Sequence, residues 1–209
     1  MDTDFDTCLG AVTRTVSEFV REGNPAREVT LACVYDTTAD DLWDAVTNPE
    51  RLPRWFLPVT GDLRLGGRYQ FEGNAGGTIT DCEPPCFMAA TWEFGGGVSW
   101  VEVRIAAEGE AMSRLTLSHI CPVDDHWRKY GPGAVGVGWD LGLLGLALHL
   151  RDGTEPFDEG AFAASAEGKA YITGASDDWK RAAVAAGEDA AAAQAAAVLT
   201  TAFYTGGGS

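Results

Sequence analysis

The fold is decided by residues 61–121, which have the sequence GDLRLGGRYQFEGNAGGTITDCEPPCFMAATWEFGGGVSWVEVRIAAEGEAMSRLTLSHIC. Segments rich in β-branched and aromatic residues alternate there with turns of Gly, Pro, Asn and charged residues. The predicted strands are 68–72, 78–82, 87–94, 98–107 and 112–121. Because the connections are too short for the crossovers that parallel strands need, we expect an antiparallel meander.

Three shorter elements precede the meander. Residues 29–36 alternate between apolar and polar side chains, which predicts a strand. A capping-box-like start then predicts a short helix over 38–46. A second short helix is predicted over 48–58, with Trp55 and Phe56 at its end.

A long apolar helix is predicted to follow the meander, over residues 131–150. Its side chains are apolar on nearly every face, which indicates a buried helix. The most apolar part, 139–150, is shorter than a bilayer span and contains Asp140 and His149, so we expect no membrane insertion. Each helical glycine costs about 1 kcal/mol relative to Ala. The glycines are therefore expected to serve either a close approach to another element or space for a ligand.

The two ends of the chain are predicted to add further helices. An apolar stripe in 6–22 predicts an amphipathic helix, and Ala-rich composition predicts helices over 165–186 and 188–204. In the last of these, Val198, Leu199, Ala202 and Phe203 are expected to face the core. The predicted organisation is an N-terminal accessory helix (1–28), a central domain (29–151), a C-terminal helical extension (152–205) and a flexible tail (206–209).

Charge and cysteine usage exclude several classes of protein. Fifteen Lys and Arg against 31 Asp and Glu give a net charge of −16, which argues against nucleic acid and anionic membranes as partners. The acidic N-terminal residues do not resemble a signal peptide. Five scattered cysteines, an odd number, indicate a reduced, cytoplasmic protein. The Cys and His spacing fits none of the usual zinc patterns, so we predict no metal and no cofactor.

The stretch from Val29 to Leu150 resembles the heat-shock protein 90 ATPase activator homologue family, within the START-like SRPBCC superfamily. The matching segments are 39–50, 54–56, 61–69, 76–79, 83–85, 91–93 and 115–119, together with Gly138 and Trp139. The resemblance implies an α+β helix-grip fold, in which a curved antiparallel sheet surrounds a long C-terminal helix. It also suggests a bacterial, particularly actinobacterial, branch with extra N- and C-terminal helices.

The superfamily binds apolar small molecules between the sheet and the long helix. The helix glycines and the apolar strand face opposite them predict a pocket of a few hundred Å³ or more there, with Trp55 and Phe56 near its mouth. Aromatic and polar-tipped side chains that strand periodicity turns toward this space are the candidate ligand contacts. These candidates are Trp55, Phe56, Tyr69, Phe71, Trp92, His119, Trp139 and Gly142. Each of the aromatic side chains has core packing as its alternative role, and His119 is either a hydrogen-bonded core residue or an acid or base.

Arg64 and Arg68 flank the Gly66–Gly67 turn, where they would either hold a ligand carboxylate or pair with surface acids. No activated nucleophile can be assembled from the sequence, and no catalytic residue is predicted. The leading hypothesis is a soluble module that binds an apolar or amphipathic small molecule. The alternatives are a co-chaperone-like activator of a heat-shock protein 90 type ATPase, and a cyclase or isomerase that uses the same cavity.

Overall fold

A computed structural model of the chain describes residues 4–151, 153 and 156–206. The predicted tail at 207–209 lies outside the described residues. Within them the strands are β1 (Thr13–Arg21), β2 (Asn24–Tyr35), β3 (Val59–Gly61), β4 (Arg68–Phe71), β5 (Gly76–Glu83), β6 (Phe87–Phe94), β7 (Gly97–Ala107) and β8 (Ser113–Pro122). The α-helices are α1 (Phe5–Gly10), α2 (Ala39–Thr47), α3 (Asp125–Tyr130), α4 (Gly133–Arg151), α5 (Glu159–Ala164), α6 (Ala166–Ala185) and α7 (Ala190–Tyr204).

The strands form one sheet in the order β1-β2-β8-β7-β6-β5-β4-β3. Neighbours from β3 to β8 pair antiparallel and in sequence order, so the predicted meander is confirmed. The early strand joins the sheet beside β8, the last strand of the meander. Strand β3, which the sequence did not predict, forms the far edge.

The prediction of a helix over 6–22 is wrong. Only α1 is helical, and the chain then forms strand β1, which neighbours β2 in the sheet. Glu22 and Gly23 both have positive φ, 53° and 81°, as a two-residue hairpin turn requires. This turn reverses the chain directly into β2, so the segment before it can form backbone hydrogen bonds with β2. These hydrogen bonds stabilise a strand more than the apolar stripe stabilises a helix.

Of the two short helices predicted before the meander, the first is present and the second is shortened. Helix α2 begins after Thr38, whose side chain accepts a hydrogen bond from the Asp41 amide, and this confirms the predicted helix. The second predicted helix is reduced to a 3-10 turn over Leu52–Arg54. Helices α3 and α5 have six residues each and were not predicted, because one and a half turns carry no apolar periodicity.

Helix α4 confirms the predicted long apolar helix. Among the described residues it is the one helix that is long and apolar enough to cross a membrane, yet 61% of its most apolar window is buried inside the protein. A mostly buried apolar helix is typical of the core of a soluble domain.

Helices α6 and α7 are present as predicted, but α7 turns a different face inward. Val198 and Phe203 are 58% and 55% exposed, whereas Ala193, Ala197 and Thr200 are buried. At Thr200 the contact with α4 is close: a Cβ added to Gly133, the first residue of α4, would lie 2.9 Å from Thr200 Cγ2.

The chain divides into two compact units by the contacts within each. The helical unit consists of Met1–Leu31, Pro122–Leu144 and Asp158–Ser209. The sheet unit consists of Ala32–Cys121 and Gly145–Phe157. The predicted organisation into segments 1–28, 29–151, 152–205 and 206–209 stays a prediction.

Candidate functional site

One face of the sheet unit collects most of the side chains that the sequence predicted as ligand contacts. In the register of β6, β7 and β8, Trp92 lies opposite Ser99 and Val101 lies opposite His119. Because side chains alternate along a strand, these residues share one face. We call this the inner face.

Six of the eight predicted residues form a continuous chain of ring contacts in the sheet unit. The ring of Phe56 lies 5.5 Å from that of Trp55 and 5.1 Å from that of Phe71, measured between centroids. Phe71 also contacts Tyr69, at 5.4 Å and in an edge-on orientation. Such distances and angles are typical of favourable aromatic pairs.

The chain of contacts continues across the sheet toward β8. Phe71 lies 5.7 Å from Trp92, and Trp92 lies 6.0 Å from the imidazole of His119. We call the six residues the aromatic row; its members are Trp55, Phe56, Tyr69, Phe71, Trp92 and His119.

The polar tips of the row are engaged by the protein itself. The Tyr69 hydroxyl donates to the carbonyl oxygen of Thr91 at 2.7 Å, and the Trp55 indole N–H donates to the carbonyl of Ala45 at 2.9 Å. Burial raises the pKa of Tyr69 well above its usual value, so the phenol remains protonated. These bonds fix the buried rings of Trp55 and Tyr69 in place, whereas Phe56, Phe71 and Trp92 are half-buried.

His119 ends the row and makes a 2.7 Å hydrogen bond to Ser99. Ser99 Oγ also lies 3.2 Å from the Trp92 carbonyl, which can only accept; when the serine donates to this carbonyl, it accepts from His119 Nε2. Burial lowers the pKa of His119 to about 3, so the ring is neutral near pH 7. With the serine proton directed to the Trp92 carbonyl, the imidazole does not act as a base toward Ser99.

Ser99 was missed by the sequence analysis. Its position was available, because it has the same strand parity as Val101 and Val103, which both face inward. What the sequence did not provide is the β6–β7 register that brings Ser99 opposite Trp92.

Half-buried apolar side chains surround the row. Tyr69 packs with Ile79 and Ala90 in a buried cluster. The half-buried side chains packed against this cluster are Val59, Leu63, Phe71, Cys82, Met88 and Trp92. An apolar surface that is only partly withdrawn from water is suited to contact with an apolar molecule.

The Trp55 end of the row is held by the last turns of α4. A Cβ at Gly145 would lie 2.4 Å from the Trp55 carbonyl oxygen and 2.9 Å from the Phe157 ring. Nearby, Arg51 binds Asp41 at 2.7 Å and donates to His149 at 3.3 Å. Burial and the adjacent arginines lower the pKa of His149. His149 therefore helps to position the residues around Trp55 and the 3-10 turn.

The remaining two predicted residues, Trp139 and Gly142, lie on α4 in the helical unit. Trp139 is half-buried and Gly142 is buried. Elsewhere on α4 the glycines permit close packing: a Cβ at Gly136 would lie 2.2 Å from Trp179, and one at Gly138 would lie 2.9 Å from the Tyr204 hydroxyl. The predicted ligand pocket beside this helix stays a prediction.

The two arginines at the Gly66–Gly67 turn are paired with acids. Arg64 binds Asp62 at 2.8 Å, as the surface alternative predicted, and Arg68 binds Glu93 at 2.8 Å across the outer face. In residues 4–151, 153 and 156–206, no group of three or more His, Cys, Asp or Glu side chains is arranged to hold a metal ion.

The fold and the aromatic inner face define a helix-grip, START-like protein. Residues 36–150 match the family described as Activator of Hsp90 ATPase homolog 1-like protein, and the chain belongs to this family. It is similar to CalU16 from Micromonospora echinospora. The CalU16 crystal structure shares 33% identity with a TM-score of 0.61, covering 68% of this chain and 88% of that one. The CalU16 solution structure shares 28% identity with a TM-score of 0.70, covering 84% and 97%.

Two more distant structures share the fold. An Hsp90 activator from Plasmodium falciparum has 21% identity and a TM-score of 0.52, covering 60% of this chain and 96% of that one. DynU16, a protein in the dynemicin biosynthetic locus, has 22% identity and a TM-score of 0.54, covering 63% and 50%. No curated protein is significantly similar to this chain.

Proposed function

We propose that the protein is a binding module that holds an apolar or amphipathic small molecule against the aromatic row. The observation that carries the proposal is the row itself, in which each ring contacts at least one other: Trp55 and Phe56 follow the 3-10 turn, and Tyr69, Phe71, Trp92 and His119 lie on one face of the sheet. Ring faces bind flat apolar ligands well, and the half-buried members Phe56, Phe71 and Trp92 are the ones that a ligand could reach.

The hydrogen bonding within the row indicates the chemistry of the ligand. Because Tyr69, Trp55 and His119 already have partners inside the protein, a ligand would find few free donors there. Affinity would come from buried apolar area, at roughly 25 cal/mol per Å². The oxygens of Tyr69 and Ser99 each retain a lone pair, so one or two ligand hydroxyls could be accommodated.

The arrangement supports binding over catalysis. The His119–Ser99 pair lacks the proton direction that a nucleophile requires, and the row contains no carboxylate that could act as a base.

The test is titration with Nile red, an uncharged apolar fluorophore, using matched phenylalanine variants. Phe71→Ala removes the ring that joins both halves of the row, and we expect at least ten-fold weaker binding. Phe87→Ala is the control, because Phe87 lies on the opposite face of the sheet, with Arg104 stacked 4.0 Å over its ring. Equal binding by Phe71→Ala and the parent would contradict the proposal. Native mass spectrometry of freshly purified protein would identify a ligand that co-purifies.

Family membership favours a second candidate, activation of an Hsp90-type ATPase. That function would use an exterior surface and would not depend on the inner face. Adding the purified protein to an Hsp90-type ATPase distinguishes the two candidates: stimulation that survives Phe71→Ala supports the second.

A further inference from the structure

A cavity of about 310 Å³ lies in the helical unit, apart from the aromatic row of the sheet unit. Three elements of that unit supply its walls: α3 with the start of α4, α6, and α7. Helices α6 and α7 lie outside the residues that match the family, so family membership does not account for this cavity.

The floor of the cavity is apolar and consists of one large ring and several small side chains. Trp179 is 1% exposed, and Ala183, Ala193 and Ala197 are all buried. The alanines leave space that larger residues on α6 and α7 would fill. The volume is at the lower end of the range for small-molecule sites, which suits a ligand of one or two fused rings.

Hydrogen bonds and an ion pair behind the cavity fix the positions of the residues that form its floor. The Trp179 indole N–H donates to Asp140 Oδ2 at 2.8 Å, and Asp140 is fully buried in a 2.7 Å ion pair with Arg14. Thr200 donates to the Tyr130 carbonyl at 3.0 Å and thereby joins α7 to the end of α3. A preorganised site of this kind loses little entropy when a ligand binds.

The wall contains a hydrogen-bond donor, on the buried residue Trp127, that no described residue accepts from. Trp127 is 8% exposed and lines the cavity, and among the described residues its indole N–H has no hydrogen-bond partner. No fully buried side-chain nitrogen or oxygen in the described part of the chain lacks a partner, so this N–H must reach open space. Since Trp127 borders the cavity, we infer that the N–H is available to an acceptor bound there.

Basic residues outnumber acidic residues around the cavity, although the chain as a whole is acidic. Overall the chain has 15 basic and 31 acidic side chains, but the described residues that line the cavity include three basic ones, Arg27, Arg128 and Lys180, and one acidic one, Glu188. Their own ion pairs are partly exposed. Arg128 binds Asp125 at 2.8 Å, and Arg27 lies 3.7 Å from Glu188. Exposed pairs of this kind are weak, so a ligand anion can compete for the cations.

We propose that this cavity is a second binding site, specific for a small aromatic carboxylate. The ring system would lie on Trp179 and the alanines, an oxygen would accept from Trp127 Nε1, and the acid group would be at the basic mouth. This site is independent of the small-molecule site proposed on the sheet, and either can exist without the other.

The probe is 2-naphthoate, titrated into the full chain by calorimetry and by heteronuclear NMR of the indole N–H groups. Ala193→Phe fills the cavity, and we expect at least ten-fold weaker binding. Ala195→Phe is the matched control, because Ala195 is exposed on the same helix. The Trp127 indole signal, assigned with Trp127→Phe, should move on binding. Unchanged affinity in Ala193→Phe, or no shift of the Trp127 signal, would overturn the site.

Two further arms separate the alternatives. The uncharged amide, 2-naphthamide, tests the ligand class: Arg128→Gln combined with Lys180→Gln should weaken naphthoate several-fold and leave the amide unaffected. Equal effects on both compounds would overturn the preference for an anion. Phe71→Ala should leave naphthoate binding unchanged, and a loss there would assign the binding to the sheet instead. If Ala193→Phe does not fold, Trp127→Phe replaces it, with an expected several-fold loss.

Discussion

At the scale of the residue, His119 is the most constrained member of the inner face. It is 2% exposed, bonded to Ser99, and its pKa is lowered to about 3 by burial. An unfolded histidine has a pKa near 6.5, so the unfolded chain binds a proton between these values and the folded chain does not. The contribution to stability is therefore complete above about pH 6.5 and is lost as the pH falls.

This asymmetry gives a prediction for His119→Phe. Between pH 7 and pH 5 the parent should lose about 2 kcal/mol of unfolding free energy through this residue alone, and the variant should not. Urea unfolding at the two pH values measures the difference. His126→Phe is the control, because His126 is exposed, and it should lose stability with acid as the parent does. A His119→Phe variant with the acid sensitivity of the parent would refute a buried neutral imidazole.

Strand alternation was sufficient to predict which side chains of the row face inward, because a two-residue period determines the face. It was not sufficient to predict what their polar tips bind. The partners of Tyr69 and His119 lie 22 and 20 residues away along the chain, on other strands. Such partners depend on the register between strands, which the sequence pattern constrains only weakly.

At the scale of the element, α4 shows how close packing determines composition. Its glycines are unfavourable for a helix, yet three of them lie where a Cβ would contact Trp179, Tyr204 or the Trp55 carbonyl within 3 Å. The sequence analysis left close approach and ligand space as alternatives. At Gly136, Gly138 and Gly145 the structure has close approach.

Gly145→Ala tests this at the position beside the aromatic row. Helix propensity alone would stabilise the variant by about 1 kcal/mol. The backbone carbonyl of Trp55 lies 2.4 Å from the new Cβ and cannot rotate away, so we expect a net loss of about 1–3 kcal/mol. Gly160→Ala is the control, because its Cβ would meet Asp158 at an ordinary 3.5 Å. Urea unfolding should show destabilisation in the first variant and none in the second. A stabilised Gly145→Ala would contradict the close approach.

Two elements were predicted incorrectly for physical reasons. The apolar stripe of 6–22 fits a helix, but the turn at Glu22 and Gly23 pairs its second half with β2. In α7 the large side chains Val198 and Phe203 were expected to be buried, yet they are exposed, and the buried face carries Ala193, Ala197 and Thr200. Hydrophobicity measures the gain on burial and contains no information about the space that is available.

At the scale of the whole molecule, the helical unit is joined across the sequence by a buried ion pair. Arg14, on β1, contacts Asp140 on α4 at 2.7 Å and Asp178 on α6 at 3.0 Å. Its side chain is 5% exposed and that of Asp140 is fully buried. The Tyr171 hydroxyl donates to the Asp140 carbonyl, so three separated segments converge on one residue. The sequence analysis identified Asp140 only as an exception in an apolar helix, since nothing local indicates a partner 126 residues away.

Removal of one partner from this pair should cost far more than removal of one from an exposed pair of the same length. Arg14→Met leaves Asp140 buried without its cation, and we expect a loss of about 3–5 kcal/mol. Arg64→Met breaks the 2.8 Å pair with Asp62, in which both side chains are largely exposed, and should cost less than about 1 kcal/mol. Urea unfolding measures the loss of unfolding free energy in each variant. The two losses compare a buried with an exposed ion pair of nearly the same N–O distance.

The pH dependence of the same variant adds a second criterion. Burial raises the pKa of Asp140, and Arg14 opposes the shift. Without Arg14 the carboxyl should titrate still higher, so the folded state binds a proton more readily than the unfolded chain, and stability rises as the pH falls. Arg14→Met should therefore be less destabilised at pH 5 than at pH 8, whereas Arg64→Met should show no such trend. Equal losses in the two variants, or a loss in Arg14→Met that does not diminish with acid, would mean that the buried pair does not hold the helical unit together.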